Sequence, residues 1–243
     1  MTKMRSLLFV PGDCEASLTA AGAAAADILV LDLQSAADAE RKARARGLVR
    51  EYLQGRPVGT RSEGLWVRID ELAHPEAGAD LGAVMPFQPD GIVLPGARSA
   101  QDCEALATRV GHYEAEHEIA IGTTRIIALA ATTPASVFTL GGYAAGGKRL
   151  AGLAWDADAL AAAVGAVSAR DPQSGLTDPF RLVRSLCLFG AHAAGVAAID
   201  GVHPVRADTA GLERACAEAR RDGFSGKLAV DPEQVETINR VFG

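Results

Sequence analysis

Eight short apolar runs recur along the 243 residues, and helix-like segments separate them. Apolar runs of about four to eight residues are typical of strands that are buried on both faces. Strands of this kind that alternate with helices predict a parallel sheet covered by helices. The predicted strands are 6–10, 28–33, 65–69, 91–94, 125–129, 150–155, 197–202 and 227–230.

The number of strand–helix units predicts that this sheet closes on itself. Eight units in a chain of this length favour a single-domain (β/α)8 TIM barrel over residues 1–243. The alternative is an open doubly wound sheet, which usually carries a G-x-G-x-x-G fingerprint after its first strand. The first strand here runs into P-G-D-C-E, which lacks that fingerprint.

Composition argues against some classes of binding partner and indicates the cellular compartment. The net charge of -6 and the pI of about 5.4 argue against nucleic acid or an anionic membrane as the main partner. No apolar stretch approaches the roughly 20 residues of a membrane-spanning helix. The cysteines show no C-x-x-C pair and no zinc spacing, which favours a reduced, cytoplasmic setting. They are Cys14, Cys103, Cys187 and Cys216.

Arg68 stands near the end of the third predicted strand, in W-V-R-I-D. A buried guanidinium is costly unless an anion meets it. One interpretation makes Arg68 the anchor for a substrate carboxylate. The other makes it a structural ion-pair partner of an aspartate on a neighbouring strand. Spacing alone leaves both open.

Other polar residues also follow the predicted strands. In a barrel of this kind the chemistry lies at the carboxyl ends of the strands. Each aspartate by itself is more often a cap or an ion-pair partner, but together they indicate a site for an anionic substrate, with or without a bridging metal. The set comprises Asp13, Asp32, Gln34, Arg68, Asp70, Thr132, Asp156, Asp158, Asp200, His203 and Asp231.

Seven motifs, in order, cover nearly the whole chain. They are R-S-L-L-F-V-P-G-D (5–13), A-D-I-L-V-L-D-L (26–33), V-R-I-D (67–70), D-G-I-V-L-P (90–95), R-S-L-C-L-F-G-A-H-A-A-G (184–195), A-I-D-G-V (198–202) and G-F-S-G-K-L-A-V-D-P-E-Q-V-E-T-I-N (223–239). Together these motifs resemble the citrate lyase β-subunit branch of the HpcH/HpaI aldolase family.

The resemblance implies a (β/α)8 barrel that assembles into a homo-oligomer, commonly a trimer or hexamer. Members cleave or form a C–C bond in 3-hydroxy-acyl thioesters such as citryl-CoA or malyl-CoA, and related members hydrolyse the thioester. A Mg²⁺ ion usually bridges the substrate. The resemblance gives Arg68 the role of holding the substrate's oxygen anions and makes Asp32 a site carboxylate. It also implies substrate-binding positions at Pro11, Gly12, Pro95 and Thr132.

The chain departs from the family pattern at the metal site. The family's I-E-T glutamate is replaced by Ala131, and the aspartate of G-A-E-D-L is replaced by Ala159. Alanine cannot bind Mg²⁺, which prefers oxygen ligands. Asp156 and Asp158 are the residues from which a displaced Mg²⁺ site could be rebuilt.

Further departures lie around the other strands. Gln34 and Ser35 stand where the family usually has two carboxylates, Gly96 stands for the lysine of L-P-K, and Val230-Asp231-Pro232 replaces I-H-P. The chain also stops at Gly243, where family members usually continue with a helical segment.

Three functions follow from these observations. The first is a C–C lyase acting on a short 3-hydroxy-acyl thioester, with Arg68 and Asp32 in its site. The second is a non-catalytic or regulatory paralogue that binds an acyl thioester or a protein partner. The third is a metal-independent acyl-CoA thioester hydrolase that uses an aspartate as general base.

Overall fold

A closed barrel of eight parallel strands forms the centre of the computed structural model, which describes residues 3–36, 38–172 and 175–243. The predicted single-domain (β/α)8 TIM barrel is confirmed. The strands lie in the order β1-β2-β3-β4-β5-β6-β9-β10 around the barrel. They are β1 (Ser6–Pro11), β2 (Ile28–Asp32), β3 (Gly64–Arg68), β4 (Gly91–Ala97), β5 (Arg125–Ala130), β6 (Leu150–Trp155), β9 (Ala197–Asp200) and β10 (Gly226–Ala229).

Helices connect the strands and cover the outside of the barrel. They are α1 (Glu15–Ala21), α2 (Ala39–Gln54), α3 (Ala77–Val84), α4 (Ala100–Glu116), α5 (Pro134–Val137), α6 (Ala157–Val164), α7 (Asp178–Ala193), α8 (Thr209–Asp222) and α9 (Glu233–Phe242), with 3₁₀ turns at Met85–Phe87 and Leu140–Ala145. Within the described ranges, none of the helices has the length and apolar character needed to cross a bilayer.

Apolar side chains fill the interior of the barrel. Ile28, Val30, Val93 and Ile127 are fully or almost fully buried there beside the indole of Trp66. A Cβ atom built on Gly91 would lie only 2.3 Å from the Trp66 ring, so the indole rests directly against the β4 backbone. The barrel is therefore a packed core and not a pore.

Strand register brings the candidate residues to one level. Pro11 pairs with Asp32, and Asp32 pairs with Arg68 across β1, β2 and β3. Arg68 in turn pairs with Val93 of β4. Because all these strands are parallel, their carboxyl ends meet at the same rim, which we call the mouth of the barrel.

Several predicted element bounds are wrong. The alanine-rich stretch 15–26 predicts one helix, but α1 ends at Ala21, and Ala25 has a positive φ of 53° that no α-helix accommodates. Strand β4 was expected to stop at 94 but continues through Pro95 and Gly96 to Ala97. The register with β5 shifts between Leu94 and Ala97, which marks a β-bulge that interrupts the ladder.

Local features beyond the apolar runs also escaped prediction. A short antiparallel hairpin, β7 (Arg170–Asp171) with β8 (Gly175–Leu176), precedes α7. The sequence predicts that Ser99 caps α4; the residue does precede α4, but its side chain does not cap the helix, because its hydroxyl donates to Oε1 of Gln101 at 2.6 Å.

Candidate functional site

Arg68 and Asp32 form a two-pronged ion pair at the mouth. The Nε of Arg68 donates to Oδ1 of Asp32 at 2.7 Å, and its Nη2 donates to Oδ2 at 2.5 Å. The backbone N–H of Gln34 also donates to Oδ1 of Asp32 at 3.0 Å. The guanidinium carbon lies 4.8 Å from the centre of the Phe9 ring, which supports it from the barrel interior. The predicted structural ion pair therefore exists, with Asp32 as the partner.

The same pair leaves part of Arg68 available. The remaining nitrogen of its guanidinium, Nη1, makes no hydrogen bond with a described residue. The side chain of Arg68 is 20% exposed, whereas that of Asp32 is 6% exposed. A guanidinium held on one edge is a pre-oriented donor for a carboxylate on the other. The anchor role of Arg68 and the site role of Asp32 stay predictions, and this geometry is compatible with both.

The predicted substrate-binding positions lie at the mouth in different environments. Pro11 is exposed and Thr132 is half-buried, whereas Pro95 is buried within the bulge of β4. Gly12 donates its N–H to the carbonyl of Asp32 at 2.9 Å, and a Cβ there would lie 2.8 Å from that oxygen. Gly12 thus permits close contact between two strand ends, and substrate binding by these four residues stays a prediction.

A buried charge network supports the segment that follows Arg68. Lys42 of α2 pairs with Asp70 at 2.6 Å and with Asp80 of α3 at 3.3 Å, and its Nζ donates to the carbonyl of Leu33 at 2.7 Å. Asp80 also accepts from Nε of Arg46 at 2.8 Å. Such paired charges fix the strand ends of β2 and β3 relative to the outer helices.

The residues at the mouth do not fit a magnesium ion. Among the described parts of the chain, no group of three or more His, Cys, Asp or Glu side chains is placed to hold a metal. Asp156 uses its Oδ1 to accept the N–H groups of Asp158 and Ala159 and so caps α6. Asp158 is 62% exposed and pairs with Arg170 at 2.9 Å. Magnesium binding by Asp156 and Asp158 stays a prediction without a ligand arrangement to support it.

The two alanines at the expected ligand positions explain this misfit. Ala131 is fully buried at the end of β5 and has a φ of 59°, a left-handed conformation that costs about 1–2 kcal/mol for a non-glycine residue. Ala159 lies in the first turn of α6. Neither side chain carries an oxygen, so the two positions to which the resemblance assigns ligands offer no donor atom.

A second arginine–aspartate cluster lies at the end of β9. Oδ1 of Asp200 accepts from Nε1 of Trp155 and from Nε of Arg184, both at 3.0 Å, and Oδ2 accepts from Nζ of Lys227 at 2.8 Å. Burial opposes ionisation of Asp200, but Lys227 and Arg184 outweigh it and lower the pKa to about 2. Arg184 also pairs with Asp222 at 2.7 Å. We call this group the Asp200 cluster.

His203, a predicted strand-end residue, lines a cavity of about 790 Å³ that adjoins the Asp200 cluster. Its Nε2 is buried without a hydrogen-bond partner among the described residues, and the nearest carboxylate oxygen, of Asp208, is 3.6 Å away. Burial, followed by the charge of Lys227, lowers the pKa of His203. This shift favours the neutral form of the imidazole.

Fold and site together define the class of protein. A (β/α)8 barrel with an arginine and carboxylates at the carboxyl ends of its strands has the layout of TIM-barrel enzymes. The sequence pattern of the HpcH/HpaI aldolase/citrate lyase family matches residues 5–232. The chain belongs to that family, and the resemblance drawn from its motifs is confirmed.

Similar proteins of known name come from two groups. A (3S)-malyl-CoA thioesterase of Cereibacter sphaeroides is 31% identical over 243 residues, which cover 98% of this chain and 76% of the relative. A citrate lyase subunit beta of Leuconostoc mesenteroides subsp. cremoris is 32% identical over 238 residues, with the same shares of 98% and 76%.

Solved structures share the whole fold. Protein CitE from Mycobacterium tuberculosis in complex with magnesium and acetoacetate superposes with a TM-score of 0.82 at 27% identity, covering 99% of this chain and 90% of that one. The same protein in complex with magnesium, acetoacetate and coenzyme A gives a TM-score of 0.81 at 26% identity, covering 99% and 81%. Those structures hold magnesium and coenzyme A in a barrel like this one.

Proposed function

We propose that this chain is a citrate lyase β-like C–C bond lyase that acts on a short 3-hydroxy-acyl thioester such as citryl-CoA or malyl-CoA. The observation that carries the proposal is the Arg68–Asp32 pair, which presents a free guanidinium edge at the mouth of a family barrel. The relatives are named for malyl-CoA and for citrate, a thioester and an acid of this size.

The chemistry needs charge stabilisation where the bond breaks. In the lyase reaction the 3-hydroxyl group loses its proton, the C2–C3 electron pair moves to the thioester as an enolate, and a carbonyl product leaves. The Nη1 edge of Arg68 supports this by pairing with the substrate's carboxylate or with the developing oxyanion. Asp32 holds the guanidinium in place and, with 6% of its side chain exposed, leaves that edge to the ligand.

A thioester hydrolase is the second candidate, and one observation favours it. The described residues supply no cluster of metal ligands, and hydrolysis needs no enolate. The relatives named (3S)-malyl-CoA thioesterase give this alternative a precedent among proteins that the chain resembles. The two candidates share substrate binding and differ in the bond that breaks.

Assembly and compartment are also proposed. We place the protein in the cytoplasm, which agrees with four free cysteines among the described residues. We propose a homo-oligomer, with a trimer as the expected state. Large apolar side chains are exposed on the outer layer: Phe138, which follows α5, is 91% exposed, and Leu182 and Phe189 of α7 are 60% and 64% exposed. Such surfaces are typical of subunit contacts.

The test is to incubate the purified protein with malyl-CoA or citryl-CoA, with and without Mg²⁺, and to identify the products by mass spectrometry. Acetyl-CoA is the expected product, together with glyoxylate from malyl-CoA or oxaloacetate from citryl-CoA. Free CoA with intact malate or citrate would establish the hydrolase instead. If neither thioester is converted by correctly folded protein, the catalytic proposals are wrong for these substrates, and the binding paralogue becomes the better explanation.

A further inference from the structure

Glu71 occupies a position at the mouth that the sequence did not single out. It follows Arg68 by three residues, and Gly96 follows Val93 by the same number on the adjoining strand. Because Arg68 and Val93 are register partners, the segments that hold Glu71 and Gly96 leave two neighbouring strands at the same rim. Glu71 therefore lies at the mouth, beyond the strand end that carries Arg68, and shares a cavity with Gln34, whose N–H donates to Asp32.

The contact between Glu71 and Gly96 is close. A Cβ atom on Gly96 would lie 2.6 Å from Cδ and 2.7 Å from Oε1 of Glu71, so the carboxylate rests over bare backbone. Gly96 has a φ of +62° and lies in the bulge of β4. Bulges next to active sites re-aim neighbouring groups. Here the bulge opens the space into which Glu71 extends.

The carboxylate of Glu71 differs from the other carboxylates of the mouth in having no partner among the described residues. Only its backbone carbonyl is bonded, to the N–H of His74 at 2.8 Å. Glu71 lines a cavity of about 380 Å³ with Gln34, Asp70 and His74. The others are engaged: Asp13 with Arg41, Asp32 with Arg68, Asp70 with Lys42, Asp156 as the cap of α6, Asp158 with Arg170, Asp200 with Lys227 and Arg184, and Asp231 with Arg206 and the N–H of Glu233.

We propose that Glu71 is the proton-transfer residue of this site, an inference that rests on the proposed lyase function. Its carboxylate takes the proton of the 3-hydroxyl group as the C3–O bond becomes a carbonyl and the C2–C3 bond breaks. The electron pair is held as the thioester enolate. The same Glu71, now protonated, returns the proton to C2, so that the acetyl thioester forms and the carboxylate is restored. Atoms and charge balance without a further reactant.

This role divides the charges of the mouth between two residues. Arg68, held by Asp32, provides the positive charge that the enolate needs, while Glu71 provides the base. A general base must keep a lone pair free for the substrate, and a carboxylate locked in an ion pair cannot do so while its partner holds it. Asp32 is locked in this way by two hydrogen bonds from Arg68.

Glu71→Gln tests the proposal, and Glu104→Gln is the matched control. Glu104 is also an exposed glutamate that lies against a glycine of positive φ, because a Cβ on Gly147 would be 2.7 Å from its Oε1, but it belongs to α4 in the outer layer. We expect Glu71→Gln to lower kcat on the converted thioester by about 100-fold or more, with little change in KM. Glu104→Gln should behave as the wild type does.

A half-reaction separates proton transfer from bond cleavage. Acetyl-CoA incubated with the wild-type protein in D₂O should exchange the hydrogens of its acetyl methyl group, as mass spectrometry would show, and Glu71→Gln should lose this exchange. Gly96→Ala is a second variant, since its Cβ displaces the carboxylate without removing it. It should lower kcat while circular dichroism and thermal melting show that the barrel remains folded.

The possible results distinguish the two proposals. If the wild type converts no thioester, the lyase function fails and the role of Glu71 fails with it. If the wild type is active and Glu71→Gln matches Glu104→Gln in kcat and in exchange, the lyase function stands and the proton-transfer role is wrong.

Discussion

Two of the arginine–aspartate pairs at strand ends, Arg68–Asp32 and Arg184–Asp200, differ in how many donor groups of the arginine remain unbonded. At the mouth, Asp32 is the one hydrogen-bond partner of the Arg68 guanidinium among the described residues, and Nη1 has no partner among them. In the Asp200 cluster, Arg184 contacts Asp200 and Asp222, and Lys227 adds a second cation to Asp200. The side chain of Asp200 is 5% exposed, close to the 6% of Asp32.

Burial of the aspartate therefore does not distinguish a binding pair from a structural one. The two pairs differ in whether all their hydrogen-bonding groups already have partners. Every oxygen of Asp200 has its donors, so the cluster has no spare capacity for a ligand. The guanidinium of Arg68 is fixed on one edge and open on the other, which is the arrangement that recognises an anion.

The largest effect that we expect is on stability, from Asp200→Asn. The substitution keeps the size of the side chain but leaves Arg184 and Lys227 without their shared anion in the interior. Breaking a buried pair in this way costs about 3–5 kcal/mol of unfolding free energy. Urea denaturation measures it, with Asp32→Asn as the control that should lose less, because Arg68 is more exposed. Equal losses in the two variants would remove the contrast between the pairs.

The next effect is on activity, from Arg68→Ala. Loss of the free guanidinium edge should reduce kcat/KM for the converted thioester by about 100-fold, the scale of removing one oxyanion donor. The control is Arg206→Ala, because that side chain is 70% exposed and only 3.8 Å from Asp231 at its closest. Steady-state kinetics measures both variants. If Arg68→Ala keeps its kcat/KM, Arg68 is as structural as Arg184.

A third expectation concerns acid. In the folded protein the pKa of Asp200 is lowered from 3.8 to about 2. The pKa of Glu114 is lowered from 4.5 to about 2, because the effect of burial, which raises it, is outweighed by the hydrogen bonds and charge of Arg149. A carboxyl whose folded pKa lies below its unfolded value stabilises the fold at higher pH and loses that stabilisation as pH falls toward the folded value. Unfolding free energy should therefore decline between about pH 4.5 and about pH 2.

Urea midpoints measured across that range would test the expectation. Asp200→Asn should flatten part of the decline, because the variant has no carboxyl to protonate at that position. An unchanged slope in the variant would show that the cluster does not contribute to acid sensitivity, and would weaken the contrast with the mouth.

The smallest expected effects concern Asp156 and Asp158, the residues that the sequence offers as ligands of Mg²⁺. Asp156→Ala removes a helix cap and should cost about 1 kcal/mol of unfolding free energy. A ligand that binds only the native state must raise the Tm. Because we expect no Mg²⁺ to bind, millimolar Mg²⁺ should leave the Tm of the wild type unchanged. A Mg²⁺-dependent rise in Tm that disappears in Asp156→Ala would show a rebuilt metal site and refute our assessment of the fit.

The barrel was predictable because each buried strand is a separate apolar run, such as I-L-V-L in β2. Periodicity located the strand ends within a few residues, which was enough to place Asp32 and Arg68 at one rim. The hairpin of β7 and β8 was missed because two-residue strands carry no periodic signal.

Partners across the chain were harder to predict than elements. The sequence around Asp200 does not predict that Lys227 and Arg184 are its partners, because the three residues come together only when the barrel closes. Glu71 was missed for the same reason. The one sequence signal was indirect: Gly96 replaces a lysine of the family pattern. The loss of that side chain indicates free space but does not identify Glu71 as the residue that fills it.

Trp66 has a consequence for the size of whatever enters the mouth. Its ring lies against the backbone of Gly91, two residues below Arg68 on the same strand, within the apolar cluster that fills the barrel interior. Because that interior is packed, a molecule that enters the mouth stops above the apolar layer, and its longer portion remains outside. Both fragments of a cleaved molecule would then depart upward through the opening by which it arrived, one after the other.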